Sequence, residues 1–240
     1  METILKNMRK GDKKLVLFDI DGTLIYPGDG AKVALSKTIF NNFSIEVKVT
    51  YENTAGKTDR WIMKDILINA GIDEKYIDGK MNKVINDYIS FMKVEYNKNN
   101  DARIFDGVEV LLEKLIGFDN VILGLLTGNI EAGARIKLSP FNLNKYFPFG
   151  AFGNEGFYRE ELVETALKKA KNLYGITFYG KNIVIIGDTV NDVICGKKYD
   201  AKSIAVVMRP EYLERVKDAK PDFLFTGFQN TDIILDAILL

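Results

Sequence analysis

Apolar residues in this chain form short continuous runs that alternate with stretches of helical periodicity. The continuous runs predict buried strands at residues 15–18, 121–126, 149–152, 183–186, 203–207 and 223–225. Helical spacing predicts helices near residues 131–138, 160–174, 192–199, 210–217 and 232–239. Repeated strand and helix units of this length predict an α/β fold, a Rossmann-like doubly wound parallel sheet with right-handed crossovers.

The connection between the first two predicted strands breaks this pattern. It is roughly a hundred residues long, whereas a simple parallel crossover needs only about a dozen or more. The excess contains helical patterns near residues 31–43, 59–70 and 74–97. We therefore predict an α-helical cap domain at residues 26–102, inserted after the first strand into an α/β core domain made of residues 1–25 and 103–240.

Charge and composition narrow the function classes. The chain has 33 lysines and arginines and 33 aspartates and glutamates, so its overall charge gives no indication of a nucleic acid or an anionic membrane as partner. The expected partner is a small molecule. No segment reaches the ~20 apolar residues that a membrane span needs, and residues 1–14 lack an apolar signal core.

Cysteine and histidine counts add two constraints. Cys195 is the single cysteine, which excludes an internal disulfide and a cysteine zinc site and fits a reducing, cytoplasmic location. Histidine is absent, which excludes the usual serine and cysteine triads and imidazole acid-base chemistry. Proton transfer must therefore use carboxylates, lysines, tyrosines or water.

Two aspartates, Asp19 and Asp21, directly follow the first predicted strand. Positions two apart on an extended backbone point to the same side, so both carboxylates could face one ligand at the end of the strand. One aspartate can act as a covalent nucleophile toward phosphorus while its neighbour acts as general acid and base. The alternative is that the pair only caps the turn.

Two further polar turns follow strands. Thr127, Gly128 and Asn129 come after the second predicted strand, where a hydroxyl and exposed amides can bind phosphate, although such a sequence is also an ordinary turn. Asp188 and Asp192 follow the strand at 183–186 and can both reach a hard cation. The alternative at this second turn is a helix N-cap at residue 191 or 192.

Arg159 is the candidate cation of the site. It follows the third predicted strand and opens a helix, a position from which it could neutralise a phosphate. The alternative is a solvated arginine, which is common at such places. Lys168 and Lys169 are poorer candidates because they lie inside the helix, on its expected wet face.

An acid pair, a hydroxyl, a cation and a second acid pair follow successive strands in this order along the chain. This arrangement resembles the haloacid dehalogenase (HAD) superfamily. The segment DIDGT at residues 19–23 matches the first motif of that superfamily, Thr127 matches the second, and Asp188 with Asp192 matches the fourth. The helical cap after the first strand and the DGTL sequence are similar to the phosphoglycolate-phosphatase-like branch. The third motif of the superfamily is usually a lysine, often followed by proline, and Arg159 stands in its place here.

This resemblance implies a Mg²⁺-dependent phosphatase that hydrolyses a small-molecule phosphate monoester. Asp19 would form an aspartyl-phosphate, and Asp21 would protonate the leaving oxygen and then activate water. Mg²⁺ would be held by Asp19, the backbone carbonyl of Asp21 and Asp188, with Asp192 in support.

The phosphate-binding roles also come from the resemblance, whereas the interpretation of the cap comes from its own residues. Thr127, Gly128 and Asn129 would bind the phosphoryl oxygens together with Arg159. In the cap, Lys57 and Arg60 are offered to a substrate anion; the alternative there is a solvated helix start with Thr58 or Asp59 as N-cap.

Other functions remain open at this level. A phosphomutase of the same superfamily needs the same four parts, and a catalytically idle HAD-fold binding protein would keep the fold. A receiver-type signalling domain is disfavoured, because it would be about half as long and has no counterpart to Asp192. We expect a monomer or a homodimer.

Overall fold

A six-stranded parallel sheet forms the centre of the fold, in a computed structural model that describes residues 13–98 and 101–240. Its strands, β1, β4, β5, β6, β7 and β8, are Lys14–Phe18, Val121–Leu126, Gly150–Ala151, Ile183–Gly187, Lys202–Val206 and Phe223–Phe225. Their order in the sheet is β5-β4-β1-β6-β7-β8, and every neighbouring pair is parallel. The predicted α/β fold class is confirmed. Residues 1–12 of the predicted core domain lie outside the described residues.

Helices cover both faces of this sheet and fill the long first connection. Between β2 (Ile25–Tyr26) and β3 (Arg103–Ile104), which pair antiparallel, lie the helices α1 to α4. These are Gly30–Phe43, Tyr51–Thr54, Asp59–Asn69 and Glu74–Lys98. The later helices, α5 to α10, are Val108–Ile116, Glu131–Leu138, Arg159–Tyr174, Val190–Cys195, Leu213–Asp218 and Thr231–Leu239.

Two predicted helices differ from the observed ones. The helix predicted at 192–199 ends at Cys195, and a 3₁₀ turn, Lys197–Tyr199, follows Gly196. The helix predicted at 210–217 begins as a 3₁₀ turn, Pro210–Tyr212, before α9. Glycine favours a helix end and proline a helix start, so both boundaries follow local backbone chemistry that the periodicity does not register.

Strand β1 lies in the middle of the sheet, and its last residue is fully buried. Phe18 pairs in register with Leu125 of β4 and Ile186 of β6. One face of the sheet packs against α5 and α10, and the other packs against α7. Because both faces are covered, the strands are continuous apolar runs, and the polar residues that follow them meet at the carboxyl edge of the sheet.

The helices at residues 30–98, called the helical insert below, have a core of their own. Ile39, Met63, Val84 and Met92 are buried in it, and α1 packs along α4. The proposed domain boundaries at residues 26 and 102 stay a prediction. Within the two described ranges, no helix combines the length and the apolar character needed to cross a membrane.

Two glycines with left-handed backbone provide a test of this packing. Gly107 has φ of +88°, and a Cβ there would lie 2.3 Å from the carbonyl oxygen of Phe228; Gly71 has φ of +83° and open space around it. Gly71→Ala should cost about 1 kcal/mol of unfolding free energy from backbone strain alone. Gly107→Ala should cost about 3 kcal/mol, because the methyl group must displace backbone. Urea unfolding measures both, and equal losses would contradict the packing argument.

Candidate active site

The turn after β1 places the first acid pair at the edge of the sheet. The amide of Asp19 continues the ladder by donating to the carbonyl of Ile186, 2.9 Å away, and the Asp19 side chain is buried. The chain then turns through Gly22, whose φ is +85°. Asp19 and Asp21 both line one cavity, as the spacing of the two residues predicts.

Gly22 also allows the turns after β1 and β6 to touch. A Cβ at this position would lie 2.2 Å from Oδ2 of Asp188. Nearby, the hydroxyl of Thr23 donates to Oδ1 of Asp188 over 3.4 Å. A residue other than glycine would therefore be strained by its φ and would collide with Asp188.

Arg159 is buried and connects three elements of the sheet edge. Its Nη2 lies 2.7 Å from Oδ1 of Asp19 and 2.6 Å from Oδ1 of Asp192, and it donates to the carbonyl of Leu126 over 3.0 Å. The arginine is only 5% exposed, so the solvated alternative is wrong. The structure brings Arg159 to the predicted nucleophile.

Asp192 belongs to the acid cluster and also helps to cap α8, but the N-cap that the alternative placed at residue 191 or 192 is wrong. It is the third residue of α8, and its Oδ2 accepts hydrogen bonds from the amide and hydroxyl of Thr189, at 2.9 and 2.6 Å. Thr189 is therefore the N-cap, and Asp192 completes a capping box. Its other oxygen, Oδ1, contacts Arg159 and belongs to the acid cluster.

Three buried carboxylates gather at this point. One oxygen each from Asp19, Asp188 and Asp192 lie within 4.8 Å of one another. Burial raises the pKa of Asp19 to about 6, with Arg159 acting in the opposite direction and Asp192 adding to the rise. Burial, followed by the charges of Asp192 and Asp19, raises the pKa of Asp188 well above its ordinary value.

The donor set fits a metal ion. Three buried carboxylates lie beside a single guanidinium, that of Arg159, so the carboxylates outnumber the cation. Carboxylate oxygens are the ligands that hard divalent cations prefer. A cation at this cluster would supply the missing positive charge, so among the described residues Asp19, Asp188 and Asp192 could hold a metal.

The turn after β4 is hydrogen-bonded directly to the acid pair. The hydroxyl oxygen of Thr127 accepts from the amide and the side-chain nitrogen of Asn129, at 3.3 and 2.8 Å. The same Asn129 nitrogen donates to Oδ2 of Asp21 over 2.9 Å. Thr127, Gly128 and Asn129 all line the cavity, so the structure brings these predicted residues together with Asp21.

Lys137 is a site residue that the sequence analysis missed. It lies in the last turn of α6, is 4% exposed, and donates from Nζ to Oδ2 of Asp21 over 2.5 Å and to Oδ1 of Asn129 over 2.6 Å. A lysine near a helix C-terminus is ordinarily a solvated residue. The spacing of Lys137 from Ala134 could have indicated that Lys137 is buried. Positions i and i+3 share a helix face, and Ala134 lies on the buried face.

The helical insert is closed over this site. The amide of Asp59 donates to the carbonyl of Gly128 over 2.7 Å, and Oδ2 of Asp59 accepts from the amide of Ile130 over 2.8 Å. A Cβ on Gly128 would lie 2.1 Å from the carbonyl oxygen of Lys57, so the approach requires glycine. The hydroxyl of Thr58 donates to the carbonyl of Phe157.

The structure distinguishes between the two expected cations of the insert, Lys57 and Arg60. Lys57 lines the cavity, and its Nζ lies 2.8 Å from Oδ2 of Asp65, so its role toward a substrate anion stays a prediction. Arg60 is not among the residues that line the cavity. Thr58 accepts a hydrogen bond from the amide of Trp61 and caps α3, which was the alternative interpretation.

The cavity is lined by both polar and apolar residues. Its volume is about 130 Å³. The sheet edge contributes Asp19, Asp21, Arg159 and Lys137, and the insert contributes the apolar Leu35, Val49 and Ile62 together with charged residues such as Lys57 and Asp59. A site with a few convergent polar groups and an otherwise apolar lining is typical of a small-molecule pocket.

Comparison with known sequences identifies the class. The sequence model of the haloacid dehalogenase-like hydrolases matches residues 16–206, and the chain therefore belongs to this family. A Clostridium perfringens protein with the provisional name pyrophosphatase PpaX is 25% identical over 223 residues, covering 88% of this chain and 91% of that protein. A phosphoglycolate phosphatase of Colwellia psychrerythraea is 21% identical over 233 residues, covering 95% and 99%. The family that the motifs predicted is confirmed.

Solved structures agree on the fold. A phosphatase of Clostridium acetobutylicum, described as predicted, aligns with a TM-score of 0.71 at 22% identity, covering 95% of this chain and 98% of that one. CbbY from Rhodobacter sphaeroides in complex with phosphate aligns with a TM-score of 0.70 at 14% identity, covering 91% and 96%.

The acid cluster predicts an inverse dependence of stability on pH in metal-free protein. Asp19 and Asp188 bind protons more tightly in the folded chain, because their pKa values are raised there, so stability falls as pH rises from the ordinary carboxyl range through about 6 and above. Asp188→Asn removes one of these groups without changing its size. In chelator at pH 8 the variant should be more stable than the wild type, and at pH 4.5 this advantage should shrink.

Urea unfolding at the two pH values measures this difference, and the exposed Asp200→Asn serves as control. Addition of a divalent cation at pH 8 should stabilise the wild type and not Asp188→Asn. A variant less stable than the wild type at both pH values would show that Asp188 is not an uncompensated buried charge.

Proposed function

We propose that this protein is a Mg²⁺-dependent phosphatase that hydrolyses a small phosphate monoester through a phosphoryl group on Asp19. The observation that carries the proposal is the buried contact of Asp19 with Arg159 beside the acid cluster, 2.7 Å between Oδ1 and Nη2, in a cavity that also contains Asp21. A nucleophile, a fixed cation, a metal-fitting acid group and a second carboxyl are the parts that phosphoryl transfer needs.

The relatives support phosphate chemistry. One is named a phosphoglycolate phosphatase, another carries a pyrophosphatase name, and the aligned CbbY structure contains phosphate. The cavity combines Asp19, Asp21 and Arg159 with apolar residues of the insert, a lining that suits a small organic phosphate.

The first step is attack by the Asp19 carboxylate on phosphorus. Nη2 of Arg159 lies 2.7 Å from Oδ1 of Asp19, and its guanidinium would stabilise the negative charge that accumulates on the phosphoryl group. The hydroxyl of Thr127 and the amide of Gly128 would bind the phosphoryl oxygens. As the bond to phosphorus forms, the bond from phosphorus to the ester oxygen breaks, and Asp21 gives a proton to that oxygen.

The second step returns Asp19 to its starting state. Asp21, now a carboxylate, takes a proton from water as the water oxygen attacks phosphorus, and the bond between phosphorus and Asp19 breaks. The closed insert keeps bulk water from the cavity during transfer, through the contacts of Asp59 with the loop at residues 128–130.

Residues of the acid cluster would hold the cofactor. Asp19, Asp188 and the backbone carbonyl of Asp21 are the proposed Mg²⁺ ligands, with Asp192 in support because Thr189 and Arg159 already engage its oxygens. When bound, Mg²⁺ neutralises charge on the phosphoryl oxygens.

The first test is phosphate release from a panel of small phosphate esters with Mg²⁺. Asp19→Asn should lower the rate by about a thousand-fold or more, because no covalent intermediate can form. Asp200→Asn, an exposed aspartate with φ of +52° that asparagine tolerates, is the matched control and should be unchanged. Release from no ester would contradict the proposal and favour a phosphomutase or an idle binding protein, which sugar phosphates with a bisphosphate primer would separate.

A second test concerns Asp21. Asp21→Asn should slow turnover by about a hundred-fold or more, since proton transfer is lost. Mg²⁺ affinity, measured by titration calorimetry, should stay nearly unchanged, because the proposed metal contact there is a backbone carbonyl. Loss of Mg²⁺ binding in a variant of unchanged circular dichroism would contradict the role assigned to Asp21.

A further inference from the structure

We propose that Lys137 is a positioning residue for the reaction: together with Asn129 it holds one oxygen of Asp21, so that the other oxygen carries the transferred proton. This inference rests on the proposed function, because it concerns the acid and base of that reaction. It assigns a role to a buried lysine that lies outside the sequence motifs of the site.

The contacts of Asp21 are strongly unequal. Oδ2 accepts from Nζ of Lys137 at 2.5 Å and from Nδ2 of Asn129 at 2.9 Å. Oδ1 is buried and has no hydrogen-bond partner among the described residues. A carboxyl proton must lie on the oxygen that is not already accepting from two N–H donors, and in Asp21 that oxygen is Oδ1.

Lys137 and Asn129 also hold each other. Nζ of Lys137 donates to Oδ1 of Asn129 over 2.6 Å, which fixes the amide so that its nitrogen faces Asp21. The three side chains form a closed triangle in which each pair is hydrogen-bonded. Such a triangle restricts the rotation of the Asp21 carboxyl more than either donor would alone.

The burial of Lys137 is explained if its charge is needed next to Asp21. Its side chain is 5% exposed and that of Asp21 is 31% exposed, so the pair is largely removed from water, and a buried ammonium is costly unless it is well paired. A lysine used only to end α6 could satisfy its charge in solvent. The position of Lys137 at the cavity, bonded to the second aspartate of DIDGT, points to a use in the reaction.

Lys137 keeps its own proton throughout the reaction. In the first step the proton leaves Oδ1 of Asp21 for the ester oxygen as the phosphorus–oxygen bond breaks, and the new negative charge on Asp21 lies beside the ammonium. In the second step the same carboxylate takes a proton from the attacking water. Lys137 therefore acts through Asp21 and does not touch the phosphoryl group.

Two small substrates separate this role from a structural one. Acetyl phosphate releases acetate, a weak base that leaves without protonation, whereas an alkyl phosphate releases an alkoxide that needs the proton. In rapid-quench experiments with Mg²⁺, Lys137→Met should form phosphoenzyme from acetyl phosphate within two-fold of the wild-type rate. From the alkyl phosphate that the wild type hydrolyses fastest, phosphoenzyme should form about ten- to a hundred-fold more slowly, with KM within two-fold.

Three further variants test whether Lys137 acts through Asp21. Lys168→Met, at an exposed lysine paired with Glu164, should match the wild type with both substrates. Lys137→Arg, which keeps charge and donors, should recover part of the alkyl phosphate rate, and it also covers the case in which Lys137→Met does not fold. Adding Lys137→Met to Asp21→Asn should cause no further loss, and Mg²⁺ affinity by calorimetry should stay unchanged.

The outcomes separate the two proposals. If the wild type is active and Lys137→Met slows both substrates equally, or slows neither, the assignment of Lys137 is wrong and the phosphatase function stands. The assignment is also wrong if the double variant loses activity beyond Asp21→Asn. If the wild type forms no phosphoenzyme and releases no phosphate, the proposed function fails and the role of Lys137 fails with it.

Discussion

The contact of Arg159 with Asp19 and Asp192 is the interaction on which the rest of the site depends. These three charges lie in the interior, where an unpaired ion would be strongly destabilising. The guanidinium also donates to the carbonyl of Leu126, so it joins the ends of β1 and β4 to the start of α8. One guanidinium nitrogen, Nη2, makes all three of these contacts, so the position of the Arg159 side chain fixes their mutual geometry.

Each aspartate of the first pair has a separate cation. Asp19 contacts Arg159, and Asp21 contacts Lys137. In the proposed reaction Asp19 forms a covalent bond and Asp21 transfers a proton. If both carboxyl groups shared one counter-ion, a change in the charge of one group would affect the other. Separate cations on α6 and α7 let the fold set the surroundings of the two groups independently.

A strand, a helix or a site residue is predicted well from the sequence when the residues that indicate it are close neighbours in the chain. The strands and the acids that follow them are predicted well, because an apolar run ending in a polar turn is complete within a few residues. Arg159 and Asp192 were expected at the sheet edge, and only the structure shows that Asp192 completes the capping box of α8 and also contacts Arg159. Lys137 was missed because a lysine in a last helical turn has an ordinary explanation, and only the sheet order brings α6 beside Asp21.

The contacts of the helical insert could not be predicted from neighbouring residues either, and they link closure of the insert to catalysis. Of its two expected cations, Lys57 lines the cavity and is paired with Asp65 of the insert, whereas Arg60 does not line the cavity. The start of α3 binds the loop at residues 128–130 through the amide and the carboxylate of Asp59. That loop contains Asn129, which holds Asp21. If the insert opened, both hydrogen bonds of Asp59 would break. The loop at residues 128–130, whose Asn129 positions the proton donor Asp21, would then lose these contacts. Closure over a substrate and alignment of Asp21 therefore depend on the same two hydrogen bonds of Asp59.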